Sequence, residues 1–127
     1  MELVAIVGIL AVMQFTVFGA LVGKARGTYN IEAPAVTGHP VFERYYRVHM
    51  NTLESLILFL PAIFLFATYV HALAAAALGV IYLIGRQLYF SAYVKDPKTR
   101  SLGFMLTLLP SAILALGALV GAVLRLF

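Results

Sequence analysis

Two stretches of the chain, Leu3 to Gly23 and Ser101 to Leu124, carry no charged side chain and are apolar almost throughout. Each reaches or exceeds the roughly 20 residues that a helix needs to cross a bilayer. Between them lie two less uniform segments. One runs from about Val41 to Val70, polar in its first third and apolar from Ser55 onward; the other runs from Ala72 to about Val94 and is interrupted by Arg86 and Gln87. Backbone polar groups cannot go unpaired in lipid, so such segments are either helices or strands of a closed barrel. The apolar runs are continuous rather than alternating, which selects helices. The pattern therefore predicts an all-α integral membrane protein, a four-transmembrane-helix bundle forming a single domain over 1–127, with spans at about 3–27, 41–70, 72–94 and 101–125. The first apolar run is too long for a signal-peptide core and has Glu2 rather than a base at its flank, so it is read as a span.

Short punctuated segments separate these spans. Tyr29 to Pro40 contains Pro34, Gly38 and Pro40, the last well placed as the first residue of the second helix. His71 falls in a very tight turn between spans two and three, and Lys95 to Arg100 forms the third loop. Pro61 and Pro110 lie inside spans two and four, where membrane helices tolerate them. Gly19, Gly23 and Gly27, and again Gly117 and Gly121, recur at every fourth residue, a spacing suited to close helix packing.

Composition narrows the picture. Of 127 residues, 63% are hydrophobic and 11% charged, against about 25% charged in ordinary soluble domains; mean hydropathy is +1.00. A soluble domain this small has too little interior to hide so much apolar side chain, so lipid is the consistent solvent. The absence of cysteine excludes structural disulfides, thiolate metal sites and a cysteine nucleophile. His39, His49 and His71 are scattered and make no metal constellation. The nine Lys and Arg residues are explained by topology rather than by a nucleic-acid partner. Lys24, Arg26, Arg44 and Arg47 flank loop one, Arg86, Lys95, Lys98 and Arg100 flank loop three, and only Arg125 belongs to the other side. The positive-inside rule places loops one and three in the cytoplasm and both termini opposite.

Ionisable groups inside a span are costly, about 2.5–3.5 kcal/mol each at mid-bilayer even on lenient scales, and so mark candidate sites. In span two, Arg44, Arg47, Asn51 and Glu54 share one helix face. At ~1.5 Å per residue Glu54 lies about 18 Å beyond Phe42. In span three Arg86, Tyr89 and Tyr93 share a face, with Arg86 about 15 Å from the third loop. Glu54 and Arg86 are therefore expected at one depth, both turned away from lipid and lining one cavity. Structural readings compete: Arg44 and Arg47 snorkelling to headgroups, Glu43 and Arg47 forming an ordinary helix pair, Tyr89 and Tyr93 as interface aromatics, and a Glu54–Arg86 bridge that only holds helices together. A cavity of several arginines, one carboxylate, an amide and phenols suits a small, multiply anionic molecule bearing an amine, which meets a hydrophobic partner from the bilayer.

The stretch Phe42 to Glu54, FERYYRVHMNTLE, resembles the signature helix of the MAPEG family, the membrane-associated proteins in eicosanoid and glutathione metabolism. Ile81 to Tyr93 followed by Lys98 to Phe104 is similar to the third helix and loop of its branch of microsomal glutathione transferases and leukotriene C synthase. The likeness runs from about Val22 to Leu108. It implies a homotrimer of four-helix bundles with glutathione, a co-substrate, bound between neighbouring subunits near the cytoplasmic face. It implies no metal, and a hydrophobic electrophile or lipid hydroperoxide arriving from the bilayer. Arg47, Asn51 and Glu54 on helix two, Arg86, Tyr89 and Tyr93 on helix three, and Arg26 at the end of helix one are the implied glutathione ligands. Arg100 matches the arginine beside the thiol and is the implied catalytic cation, with the Tyr89 hydroxyl as a hydrogen-bond donor. Arg26 and Arg100 are expected to approach the helix-two stripe of a neighbouring subunit.

Two positions depart from the family's eicosanoid branch: Gly27 follows Arg26 where a second arginine often stands, and Ser55 follows Glu54 where tyrosine often does. Both weigh against the leukotriene reaction. The activity so implied is that of a membrane-bound glutathione S-transferase, with glutathione-dependent peroxidase activity as an extension. Two other classes stay open: a non-catalytic lipid-binding scaffold of the same fold, and a small four-span exporter. Exporters of that kind carry a glutamate in the first span, whereas no charge lies between Leu3 and Gly23 here.

Overall fold

The computed structural model describes residues 1–127. It is all-helical: α1 (Glu2–Tyr29), α2 (Pro40–Tyr69), α3 (Ala72–Lys95) and α4 (Ser101–Leu124), with a single 3₁₀ turn, Pro97–Thr99, between the last two. All four helices are long and apolar enough to cross a membrane. The first continues two residues beyond the expected end at 27, carrying Lys24 and Arg26 as part of the helix. Basic side chains are favourable in a last helical turn, where they meet the negative end of the helix dipole. Asn30 then stops α1 by turning left-handed (φ 56°, ψ 46°), a conformation that asparagine tolerates.

The two helices that carry the candidate residues are started by histidines. Nδ1 of His39 accepts from the Val41 amide at 3.1 Å, with Pro40 in the first turn of α2. Nδ1 of His71 accepts from the Ala74 amide at 3.1 Å at the start of α3. Each replaces a bond that the first turn of a helix cannot make internally. Only Val70 and His71 separate α2 from α3, whereas Asn30 to His39 separate α1 from α2. Pro61 and Pro110 sit within α2 and α4, which remain single helices.

One end of the bundle is closed by an apolar core in which Val4, Val7 and Ala11 meet Phe59, Ile63, Ala75 and Leu114. Towards the other end the packing becomes aromatic and polar, around Phe18, Val48 and Tyr89. Large apolar side chains such as Ile57, Leu73, Leu102 and Leu116 stand outward on the surface, as lipid-facing positions do.

The spaced glycines divide: a Cβ at Gly19 would lie 3.0 Å from the His49 ring, one at Gly117 2.5 Å from the Phe66 ring and one at Gly121 2.9 Å from the Tyr69 carbonyl oxygen, all on α2. A methyl group at Gly23 or Gly27 would meet nothing within 4 Å, so these two leave α1 with a smooth open face rather than an intrachain contact. Two further glycines, outside that spacing, pack against backbone. A Cβ at Gly103 would fall on the backbone of Tyr89, and one at Gly85 would lie 2.7 Å from the carbonyl carbon of Leu106. Those two glycines bring α3 and α4 into backbone contact.

Candidate functional site

Arg86 organises the site. It lies about four turns into α3 and its side chain is 0% exposed. Its Nε donates to Oγ1 of Thr107 on α4 at 2.9 Å. Its Nη1 donates to Oδ1 of Asn51 at 2.8 Å and to Oγ1 of Thr52 at 3.2 Å, both on α2. The guanidinium carbon stands 4.3 Å from the ring centre of Tyr89, one turn further along α3. Nη2 is buried and has no partner in the chain. A guanidinium in a low-dielectric setting needs its N–H groups met; α2 and α4 meet those on Nε and Nη1 and leave Nη2 unmet.

The polar face of α2 is divided among three tasks rather than acting as one stripe. Nη1 of Arg44 donates to the carbonyls of Val94 (3.2 Å) and Lys95 (3.1 Å), capping the end of α3. Arg47 pairs with Glu54 at 3.7 Å. Asn51 belongs to Arg86. No Glu54–Arg86 bridge forms, which removes the helix-clamping alternative for that pair: Arg86 is occupied by neutral oxygens, and Glu54 turns along α2 to Arg47. Nor is Glu54 turned inward as Arg86 is; 60% of its side chain is exposed in the single chain.

Arg47, Asn51, Tyr89, Tyr93 and Arg100 line one cleft of about 480 Å³, completed by Ser101, Phe104 and Met105. The rings of Tyr89 and Tyr93 stack at 5.4 Å. Nη1 of Arg100 is held by the carbonyl of Pro97 at 2.9 Å, which fixes the guanidinium at the start of α4. Behind the cleft lies a smaller chamber of about 220 Å³, where Asn51 and Phe104 recur and Glu54, Ser55, Arg86, Thr107 and Ser111 join them. Cleft and chamber thus share a wall at Asn51.

Arg100 shares this cleft with the helix-two residues of its own chain; the 3₁₀ turn is short enough to bring the start of α4 beside α2. Glu54 and Arg86 line the chamber rather than the cleft, and Arg26 lines neither. Arg26 donates to the Ala35 carbonyl at 2.7 Å and lies 4.9 Å above the Phe42 ring, against the first loop.

Sequence reasoning passed over the hydroxyls. Thr52 and Thr107 complete the shell of Arg86, and Ser55 is bonded to Tyr82 at 2.7 Å. Thr107 and Ser111, one turn apart in an otherwise apolar span, were the available signal. Phe104, which lines both cavities, gave none, because an aromatic in a membrane helix is unremarkable by itself.

Four membrane-length helices, one buried arginine shared among three of them, and an arginine-lined cleft beside it define a polytopic membrane protein with a polar site set into its helices. The chain belongs to the MAPEG family, whose profile matches residues 3–120. It is 45% identical over 115 residues to an uncharacterised protein of Synechocystis, covering 91% of this chain and 84% of that one. It is 42% identical over 120 residues to human microsomal glutathione S-transferase 2, covering 94% and 80% of the two chains. Guinea-pig (Cavia porcellus) leukotriene C4 synthase is 37% identical over 98 residues, covering 77% and 65%.

Proposed function

We propose that this protein is a membrane-bound glutathione transferase that activates the glutathione thiol for attack on a lipophilic electrophile. The observation that carries the reading is the cleft in which Arg47, Asn51, Tyr89, Tyr93 and Arg100 converge, in a MAPEG chain related to microsomal glutathione S-transferase 2. Glutathione has two carboxylates, an ammonium and a thiol. Arg47, Arg26 and the amide of Asn51 suit the carboxylates, Glu54 suits the ammonium, and the phenols of Tyr89 and Tyr93 supply further hydrogen bonds, with Arg86 behind them.

The thiol is the reacting group. A free thiol has a pKa of about 8.5, so only about 3% is thiolate at pH 7. A cation nearby favours the thiolate; Arg100, held by Pro97 at the cleft, is assigned that role. The thiolate sulfur forms a bond to the electrophilic carbon as the bond to the leaving group breaks. Where the departing group is an oxygen, the Tyr89 hydroxyl is assigned the hydrogen bond to its growing charge.

Arg26 stands outside the cleft and Glu54 is more than half exposed, which supports assembly with neighbouring copies, as a homotrimer, that cover this face. The cleft residues lie near the basic loops, so the positive-inside rule puts the site on the cytoplasmic side and the termini opposite.

The experiment is a titration of the purified, detergent-solubilised protein with glutathione, followed by ultraviolet absorbance of the thiolate, and then conjugation of an aryl halide such as chlorodinitrobenzene. Saturable thiolate formation with turnover is expected. No saturable binding defeats the reading outright. Binding without turnover on any of a panel of electrophiles replaces it with the non-catalytic scaffold.

A further inference from the structure

The hydrogen bonds around Arg86 fix the polarity of every side chain that touches it. A guanidinium has only donors, so each partner must present a lone pair. Thr52 does so because its own proton goes to the Val48 carbonyl at 2.7 Å. Thr107 does so because its proton goes to the Gly103 carbonyl at 2.9 Å. Asn51 has no such internal outlet. It must turn its carbonyl oxygen to Arg86, and it does, at 2.8 Å. A planar amide whose oxygen is held by Arg86 carries its NH₂ on the other branch of the plane. That NH₂ makes no hydrogen bond within the chain, and Asn51 is one of the residues lining the cleft. Arg86 itself is 0% exposed; it lines the chamber behind Asn51 and is absent from the cleft wall.

We infer that Arg86 is a positioning residue: it acts on the ligand through Asn51, locking the amide so that only N–H groups face the cleft. The consequence is specificity. An unrestrained asparagine offers either a donor or an acceptor, whereas this one offers donors alone, beside Arg47 and Arg100, which also only donate. Asn51, Arg47 and Arg100 together therefore suit a group that only accepts, a carboxylate, and leave the hydroxyls of Tyr89, Tyr93 and Ser101 as the cleft's acceptors for an N–H. The inference rests on the proposed glutathione reading and says which end of such a ligand faces Asn51: a carboxylate end, with the ammonium left to Glu54.

The test is Asn51→Asp, with glutathione affinity and thermal unfolding measured on the full chain in detergent. The substitution is isosteric and keeps an oxygen for Arg86, so the unfolding temperature is expected to stay at or above that of the unsubstituted protein. The cleft, however, then meets a second carboxylate oxygen in place of NH₂, and affinity for glutathione is expected to fall at least about tenfold. Unchanged affinity overturns the inference, because a merely structural Arg86–Asn51 contact survives the change. Should this variant not fold, Arg86→Lys and Arg86→Gln carry the same question. Lysine is still donor-only and is expected to hold affinity within about threefold; glutamine accepts either face of the amide and is expected to lose about tenfold. Equal affinity in those two variants overturns it as well. If the unsubstituted protein itself shows no saturable glutathione binding, it is the functional reading that has failed and the inference falls with it.

Discussion

The phenol oxygen of Tyr82 on α3 lies 2.7 Å from Oγ of Ser55 on α2. The Ser55 proton is given to the Thr52 carbonyl at 2.9 Å, so Tyr82 is the donor. The Tyr82 ring also stacks on Phe59 at 3.8 Å, which places this pair directly under the site, between the polar chamber and the apolar core. Ser55 is one of the two positions that depart from the eicosanoid branch of the family, and the structure shows its place filled by a bond to a tyrosine from the next helix.

Tyr82→Phe removes this bond while keeping the stacked ring. The expected loss is about 1 kcal/mol of stability, read as a small fall in unfolding temperature in detergent. Glutathione affinity should not change, because Tyr82 does not line the cleft. A fall in affinity with no loss of stability would place the Tyr82 hydroxyl in the binding site instead.

Arg47→Ala should act on affinity. A charge-assisted bond is worth about 1.5–3 kcal/mol, which is roughly tenfold to a hundredfold in binding. Stability should hardly move: Arg47 pairs with Glu54 at 3.7 Å with both side chains more than half exposed, and exposed pairs contribute about 0–1 kcal/mol. Calorimetric titration together with a melting curve separates the two effects.

Arg100→Ala should act on the thiol. Glutathione binding should stay within a few-fold, since Arg47 and Asn51 remain. The cation favours thiolate, so its loss raises the bound thiol's pKa towards the free value of about 8.5. Conjugation at pH 7 should fall, and part of it should return as pH rises and solvent supplies the thiolate. A pH–rate profile unchanged from that of the unsubstituted protein would move the activating role elsewhere, with Arg26 the next candidate.

Gly103→Ala and Gly23→Ala should behave as opposites. A methyl group at Gly103 falls on the Tyr89 backbone, which cannot give way as a side chain can. Overpacking typically costs 1–3 kcal/mol, and against backbone the expected loss is at the upper end, about 3 kcal/mol or more. Gly23→Ala meets nothing within 4 Å in the chain and should leave the melting temperature of the isolated subunit where it is.

The helices were legible because bilayer thickness imposes a length, and because lipid admits few other folds. Arg86 and Asn51 were legible for the same reason: a polar group that deep has to be met by protein. What the pattern along each helix could not supply was pairing between helices. Glu54 and Arg86 have the right signs and depth for a bridge, yet Arg86 is met by Asn51, Thr52 and Thr107, and Glu54 turns to Arg47. Threonines bonded to their own helix look inert in a sequence, and their lone pairs become partners only once a third helix is in place. The four-residue glycine spacing held at Gly19, Gly117 and Gly121 and not at Gly23 and Gly27, for a related reason. It describes one helix surface, while close contact needs a facing neighbour, as Gly117 has in Phe66 and Gly23 lacks.

The seam at Gly103 also decides how the site can breathe. With α3 and α4 touching backbone to backbone, Tyr89 and Tyr93 on one helix and Arg100, Ser101 and Phe104 at the head of the other form a single stiff jaw. The opposing jaw is α2, tied to the first at its far end by the Val70–His71 turn and by Gly121 against the Tyr69 carbonyl, and beside the site by side chains: the Arg86 fan at its middle and Arg44 at its end. Widening the mouth for a bulky lipid therefore falls to α2, swinging against those two latches, while the aromatic wall and the cation assigned to the sulfur keep their mutual spacing.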